Sequence, residues 1–369
     1  MRILVCNWRD GSHPAAGGAE VYTEEVLARW AADGHHVTLF SAAQAGRPER
    51  EVVRGVERVR RGSKLGVYRE AANWFAAEGR GRFDLVIDEV NTRPFFAHRF
   101  SDAPVVALYH QTCEEIWSYE MPFPASWLGR RVLEPKWLGA MRSVPALAVS
   151  ESTRDAIAAF GVQGAVVVPE GIEPPTPVDV EKAEMPTLVH CSRLVSYKRA
   201  DHVIQAFALA KQRIPDLRLV MVGDGPEMRR LRRSAPAGVE FVGFVSTDEK
   251  KRLMASAHAI VMASVREGWG LVIAEAAALG TKAIAYDRPG LRDAVKAADG
   301  VLVPADPAAM ADWIVATVPS WMSAPAEPLD LGGVHSWDDV ATAVLRAALD
   351  SAGLPIELAR TDRDIAHVA

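Results

Sequence analysis

The chain predicts an α/β protein made of two doubly wound, Rossmann-like domains, and three observations carry that reading. Short apolar runs alternate with helical patterns from end to end, the pattern of parallel α/β architecture. Near the middle lies Pro169-Glu170-Gly171-Ile172-Glu173-Pro174-Pro175-Thr176-Pro177, whose four prolines can neither continue a helix nor cross a central strand. Beyond this break the alternation restarts. A length of 369 residues suits two cores better than one.

The first domain is expected over residues 1–170. Buried strands are read at Ile3–Cys6, Val37–Phe40, Leu85–Ile87, Val105–Leu108, Leu147–Val149 and Val166–Val168, with helices such as Ala19–Ala32 and Ser152–Phe160 between them. The second domain, over 171–335, has strands at Leu188–His190, Leu217–Val222, Val239–Val242, Ala259–Met262, Lys282–Ala285 and Val301–Val303. Residues 336–369 open with an amphipathic helix, Trp337–Leu349, and 351–369 carry no clear pattern. From this alternation two domains facing each other across a cleft are expected.

Composition narrows the function. Apolar content of 49% and charged content of 24% are those of an ordinary globular protein. A net charge of -5 argues against a nucleic-acid partner, which calls for a basic excess. Cys6, Cys113 and Cys191 form no C-x-x-C pair, so neither a disulfide framework nor a zinc site is indicated. Met1-Arg2 runs directly into a strand, leaving no room for a signal peptide, and no apolar run approaches the ~18 residues of a membrane span. A cytoplasmic location is expected.

The richest segment is Glu267-Gly268-Trp269-Gly270-Leu271-Val272-Ile273-Ala274-Glu275. It follows the strand Ala259–Met262 and runs into a helix read over Leu271–Leu279, with Gly280 placed to end it. Glu267 therefore falls at the carboxyl end of a strand and Glu275 in the first turns of a helix. Ligands bind at this edge of an open α/β sheet, where helix N–H groups attract anions. A diphosphate on the amides of Leu271 and Val272 would leave the carboxylates free to pair with vicinal hydroxyls of a ribose and a sugar. A solvated loop acid and a helix-surface charge would look the same from spacing alone.

A nicotinamide-dependent dehydrogenase also uses Rossmann-like domains, but it wants G-x-G-x-x-G directly after its first strand. Here a long loop separates Cys6 from Gly17-Gly18-Ala19-Glu20, and Gly223-Asp224-Gly225 has Met228 where the third glycine belongs.

The segment resembles the E-x7-E signature of the retaining glycosyltransferases of family 4, which have the GT-B fold. Gly17-Gly18-Ala19-Glu20, Ser192-Arg193-Leu194 with Lys198, Gly223-Asp224-Gly225-Pro226-Glu227 and Val242-Gly243-Phe244 fall in that family's order. The resemblance spans nearly the whole chain, leaving the last ~20 residues outside it. It departs where Trp269 replaces a common phenylalanine and where Glu170-Gly171-Ile172-Glu173 replaces N-G-x-D. It implies a final helix that crosses back onto the first domain.

The resemblance implies roles residue by residue. Arg193 and Lys198, just past the strand ending at His190, would clamp the donor diphosphate, with Gly17 and Gly18 beside it. Glu267 would hold sugar hydroxyls and stabilise developing positive charge, and His110 would position the donor sugar together with Gly268, Trp269 and Gly270. Glu275 would hold the ribose. Backbone near Gly223, Phe244, Val245 and Lys250 would hold the base. The implied chemistry is transfer with retention from a UDP-, GDP- or dTDP-sugar, with no metal, because the cations would do a metal's work.

Two other functions use the same parts. A nucleotide-sugar epimerase would release product without an acceptor, and a non-catalytic nucleotide-sugar binder would turn nothing over. The acceptor, whether small molecule, glycan or lipid-linked, is expected on the first domain. There Met121 to Arg142 interleaves Phe123, Trp127 and Trp137 with Arg130, Arg131 and Lys136. That segment reads either as a helix packed on its domain with snorkelling cations or as a weak peripheral membrane contact.

Overall fold

The structure is a computed structural model that describes residues 1–173, 180–322 and 335–359. The last residues of the proline-rich break, from Pro174 to Pro177, and the chain beyond 359 lie outside the described residues. Two compact units divide the chain.

The first unit comprises Met1–Glu114, Trp127–Gly171 and the residues from His335 onward. Its strands are β1 (Arg2–Cys6), β2 (His36–Ser41), β3 (Arg50–Val53), β4 (Val56–Arg60), β5 (Leu85–Val90), β6 (Val105–Tyr109), β7 (Ala146–Ala148) and β8 (Val166–Val167). They lie in the order β3-β4-β2-β1-β5-β6-β7-β8, parallel except for the β3–β4 hairpin. The chain winds outward from β1 through β2, then returns to start the other half at β5, so the topological switch falls between β1 and β5.

Central strands such as β1 are apolar runs because both faces are covered. The hairpin is different. Arg54 and Gly55, with φ of 52° and 80°, make a tight turn. Arg58 and Arg60 of β4 are buried yet matched: Arg60 Nε donates to Asp10 and Nη2 to Glu51, at 2.5 and 2.6 Å. Asp10 belongs to the loop after β1, so the hairpin braces that loop.

The helix Trp337–Ser351 packs against Gly18–Ala32, and Trp30 Nε1 donates to Ala341 O at 2.8 Å. It begins in a capping box: Ser336 Oγ accepts from Asp339 N while Asp339 reaches back to Ser336 N. The apolar face of this last helix is thus buried on the first unit.

The second unit comprises Glu115–Ser126 and Ile172–Val334, with the two-residue strand β9 (Gly171–Ile172) at the division. Six parallel strands follow: β10 (Thr187–Cys191), β11 (Arg218–Val222), β12 (Val239–Gly243), β13 (Ala259–Met262), β14 (Lys282–Tyr286) and β15 (Val301–Val303). Their order is β12-β11-β10-β13-β14-β15, which puts this switch between β10 and β13. One core of aliphatic side chains runs along the sheet and takes in Trp269.

Residues 115–126 leave the first unit's sequence and join the second. Arg266 donates to Glu115 at 3.0 Å, Ser196 Oγ to Tyr119 O at 3.1 Å, and Arg199 to Tyr119 Oη at 3.2 Å. The aromatic, cationic stretch near 121–142 is several short helical pieces, among them Ala125–Leu128, Gly129–Leu133 and Glu134–Gly139. Glu134 is buried because its carboxylate accepts from Cys113 N and Glu114 N at 2.5 and 2.8 Å. Trp127, Leu128 and Val132 remain exposed. No helix of the described residues is long and apolar enough to cross a membrane.

Candidate active site

In the second unit, the loops after β10 and β13 emerge side by side at the switch. The first carries Arg193 and a short 3-10 turn, Ser196–Lys198; the second carries Glu267. Lys198 Nζ donates to both carboxylate oxygens of Glu267, at 2.6 and 2.5 Å. Burial opposes the ammonium charge, but the Glu267 carboxylate outweighs it and raises the lysine's pKa. Arg193 Nη2 donates to Tyr197 Oη at 3.0 Å.

His190, next to this pair, is a neutral imidazole. Burial pushes it down to about 4, its Nδ1 lies 2.8 Å from Val261 O and its Nε2 2.8 Å from Ser192 Oγ. It therefore donates to the carbonyl and accepts from the hydroxyl, which ties the start of the Arg193 loop to β13.

Two glycines are required here by space. A Cβ on Gly223, whose φ is 120°, would sit 1.9 Å from Ser192 O. That close approach lets Val222 O and Asp224 O accept from Ser192 N and Leu194 N and fix the loop of Arg193. A Cβ on Gly290, with φ of 80°, would come within 2.3 Å of Glu267 O. The Glu267 backbone is held there, its N–H donating to Pro289 O at 3.0 Å.

Past Glu267 the chain turns at Gly268 and Gly270 into the helix Leu271–Ala278, whose first amides, those of Leu271 and Val272, point back toward the loop. Trp269 puts its indole into the core, so this position offers a ligand only its backbone. Glu275, in the second turn of the helix, accepts from Lys250 Nζ at 2.7 and 2.8 Å. Two lysine–carboxylate pairs therefore flank one helix start. Phe244, just past β12, is 89% exposed, and Val245 is half-buried against the core.

In the first unit, Gly17 and Gly18 start the helix Gly18–Ala32. Neither has a left-handed φ, and a Cβ on either would meet nothing closer than 3.9 Å. Packing does not demand glycine at these positions. Glu20 caps the turn by accepting from Gly17 N at 2.7 Å and pairs with Arg9 at 2.7 Å.

His110 follows β6 and is buried at 2% exposure. Its Nε2 lies 3.5 Å from Glu89, whose carboxylate also accepts from Asn7 Nδ2 at 2.5 Å and Thr23 Oγ1 at 2.7 Å. The ring of Tyr22 stands edge-on to the imidazole at 5.3 Å. Burial lowers the imidazole's basicity, but Glu89 beside it, helped by Glu170 and Glu20, leaves the pKa raised. Sequence reasoning missed Glu89. Its signal was present: Asp88-Glu89 places two acids inside an otherwise apolar strand. Asp88 is pushed up to about 6 by burial while accepting from Phe95 N and Ala97 N.

The chain matches known proteins along most of its length. Residues 16–175 match the model of Glycosyltransferase Family 4, and residues 177–321 match that of Glycosyl transferases group 1. The chain belongs to this family of glycosyltransferases, and its fold is GT-B.

It is 36% identical over 126 residues to a GDP-mannose-dependent alpha-(1-6)-phosphatidylinositol dimannoside mannosyltransferase of Mycobacterium tuberculosis, covering 34% of this chain and 33% of that one. The matched region thus spans about a third of the length of that curated relative. A phosphatidyl-myo-inositol mannosyltransferase of the same species is 25% identical over 350 residues, 86% of this chain and 88% of that one. Among solved structures, the sucrose-phosphate synthase of Thermosynechococcus elongatus superimposes with a TM-score of 0.74 at 19% identity, over 93% of this chain and 97% of that one.

Proposed function

We propose that this protein transfers a sugar from a nucleoside-diphosphate donor to an acceptor hydroxyl, with retention at the anomeric carbon and without a metal ion. The observation that carries the reading is the Lys198–Glu267 pair at the switch point of the second sheet, with Arg193 on the same loop. A diphosphate arriving there exchanges with Glu267 for the Lys198 ammonium and takes Arg193 as a second cation. The released carboxylate is then free to hold sugar hydroxyls. Relatives named for GDP-mannose support a nucleotide sugar as donor.

In the chemical step the bond between the anomeric carbon and the phosphate oxygen breaks, and the acceptor oxygen forms its bond on the same face. The leaving phosphate oxygen takes the acceptor's proton, so no side chain attacks the sugar. Lys198 and Arg193 stabilise the charge that grows on the leaving group. Preorganised contacts of this kind are commonly the largest catalytic term, and losing one costs on the order of 3 kcal/mol. Glu267 stabilises the positive charge that develops on the sugar. Glu275 holds the ribose, and the backbone around Gly223, Phe244, Val245 and Lys250 takes the base. His110 positions the donor sugar.

The test is proton NMR of the product formed from an α-linked nucleotide sugar, with a chelator present. An α-linked product formed at an undiminished rate supports the reading. A β-linked product overturns retention, and loss of activity in chelator overturns metal independence.

A further inference from the structure

We propose that Tyr119 is a positioning residue for Lys198: it grips both ends of the turn that carries the lysine and so aims the ammonium. This role rests on the transferase reading above, in which Lys198 takes the donor diphosphate.

Lys198 closes the 3-10 turn Ser196–Lys198, where Lys198 N donates to Val195 O at 3.1 Å and Arg199 N to Ser196 O at 3.2 Å. Such a turn has poorer hydrogen-bond geometry than an α-helix. The next residue, Arg199, has φ of 52° and ψ of 40°, a left-handed conformation that a β-carbon disfavours. From there the chain enters the helix Ala200–Lys211. A bend of this kind persists only when its surroundings hold it.

Tyr119 supplies a holding contact at each end. Its carbonyl oxygen accepts from Ser196 Oγ at 3.1 Å, and its hydroxyl accepts from Arg199 Nη1 at 3.2 Å. The Arg199 guanidinium also stands 5.8 Å from the centre of the Tyr119 ring. Asp201 takes Nε and Nη2 of the same guanidinium at 3.2 and 3.3 Å. Arg199 is thus clamped between an acid of its own helix and a tyrosine 80 residues earlier in the chain.

Tyr119 is itself anchored. Glu115, four residues before it, accepts from Nε and Nη2 of Arg266 at 3.2 and 3.0 Å. Arg266 is buried and immediately precedes Glu267, the partner of Lys198. The two loops are also joined directly, by Val265 N donating to Tyr197 O at 2.9 Å. One short stretch, Glu115 to Tyr119, therefore reaches the neighbours of both members of the Lys198–Glu267 pair.

A lysine ammonium is a point charge on a flexible stem, so the place of its backbone decides what the charge can reach. A misplacement of about 1 Å at such a site can cost a large factor in rate. Tyr119 touches neither Lys198 nor the diphosphate; it acts through the turn.

The test is calorimetry on the full chain, without metal, using UDP, GDP, dTDP and ADP and then the monophosphate of whichever binds. Tyr119→Phe deletes the hydroxyl but keeps the ring and the carbonyl, and Ser196→Ala deletes the contact at the other end. Each variant weakens the diphosphate about fivefold, the worth of one hydrogen bond, and the double variant weakens it further. The monophosphate leans on its base and ribose and moves by no more than about twofold. Tyr119 is exposed, so Tyr119→Phe keeps the melting temperature.

Diphosphate affinity untouched by Tyr119→Phe overturns the proposal. Equal weakening of diphosphate and monophosphate overturns it too, since that would mark Tyr119 as a support of the domain and not of Lys198. Should no nucleotide bind, or should Lys198→Ala leave binding intact, the transferase reading fails first and Tyr119 loses its role with it.

Discussion

In the second unit Lys198 and Glu267 meet at the carboxyl ends of neighbouring strands with side chains 17% and 12% exposed. In the first unit His110 and Glu89 meet at equivalent ends of β6 and β5, exposed only 2% and 3%. Both pairs sit at carboxyl ends of strands, the first at its sheet's switch and the second one strand beyond it, and they do different work. Water reaches Lys198 and Glu267, so a phosphate can replace the carboxylate without stranding a buried charge. Glu89 is fastened by Asn7 and Thr23 and cannot leave, which makes it a fixed support for the imidazole. An exchangeable pair suits a site that fills and empties. A sealed pair suits a group whose charge must stay put.

The largest effect expected from breaking this contrast is Glu267→Ala. It removes the sugar-side carboxylate and leaves Lys198 free, so kcat falls about 10²- to 10³-fold. Nucleoside-diphosphate affinity holds or rises because the ammonium has lost its competitor. Steady-state kinetics beside calorimetry reads both; activity within about threefold of the parent would contradict the role.

Gly223→Ala comes next. Its Cβ cannot coexist with Ser192 O, so the Arg193 loop must move. A stability loss of roughly 1–3 kcal/mol and weaker nucleotide binding are expected from urea titration and calorimetry.

The smallest effect is Glu89→Gln, at about 1 kcal/mol. The folded pKa of His110 is raised, so its proton contributes stability in full below the ordinary imidazole value of about 6.5. That contribution is lost as pH climbs through the raised value. The gap in stability between parent and variant is therefore wider at about pH 5.5 than at about pH 8.5. Urea unfolding at both pH values measures it, and an equal gap would mean that Glu89 does not set the charge of His110.

The central strands were legible because both faces are buried and apolar: each expected strand of the two sheets has its counterpart in the structure, its ends matching to within three residues. The β3–β4 hairpin was not, and the reason is electrostatic. Charged residues such as Arg58 and Arg60 break the apolar run that marks a buried strand, yet ion pairs to Asp10 and Glu51 let both arginines be buried. Residues 115–126 were equally opaque, because their place is set by Arg266, Ser196 and Arg199, far along the chain.

At the site, Arg193, Lys198 and Glu267 stood out by residue type and by position past strand ends, and Glu275 by its place in the first turns of the following helix. That Lys198 pairs with Glu267, and Lys250 with Glu275, depends on how two loops meet, which no local pattern encodes. Trp269 looked like a sugar contact in sequence, yet its neighbours in the core claim its side chain.

The central claim is that Lys198 exchanges Glu267 for a donor diphosphate. Calorimetric titration with UDP, GDP, dTDP and ADP, in the absence of metal, tests it most directly, run on the parent chain and on Lys198→Ala. The account predicts that one nucleotide binds the parent and that the variant loses that binding. Binding of none, or binding undiminished by the substitution, would contradict it.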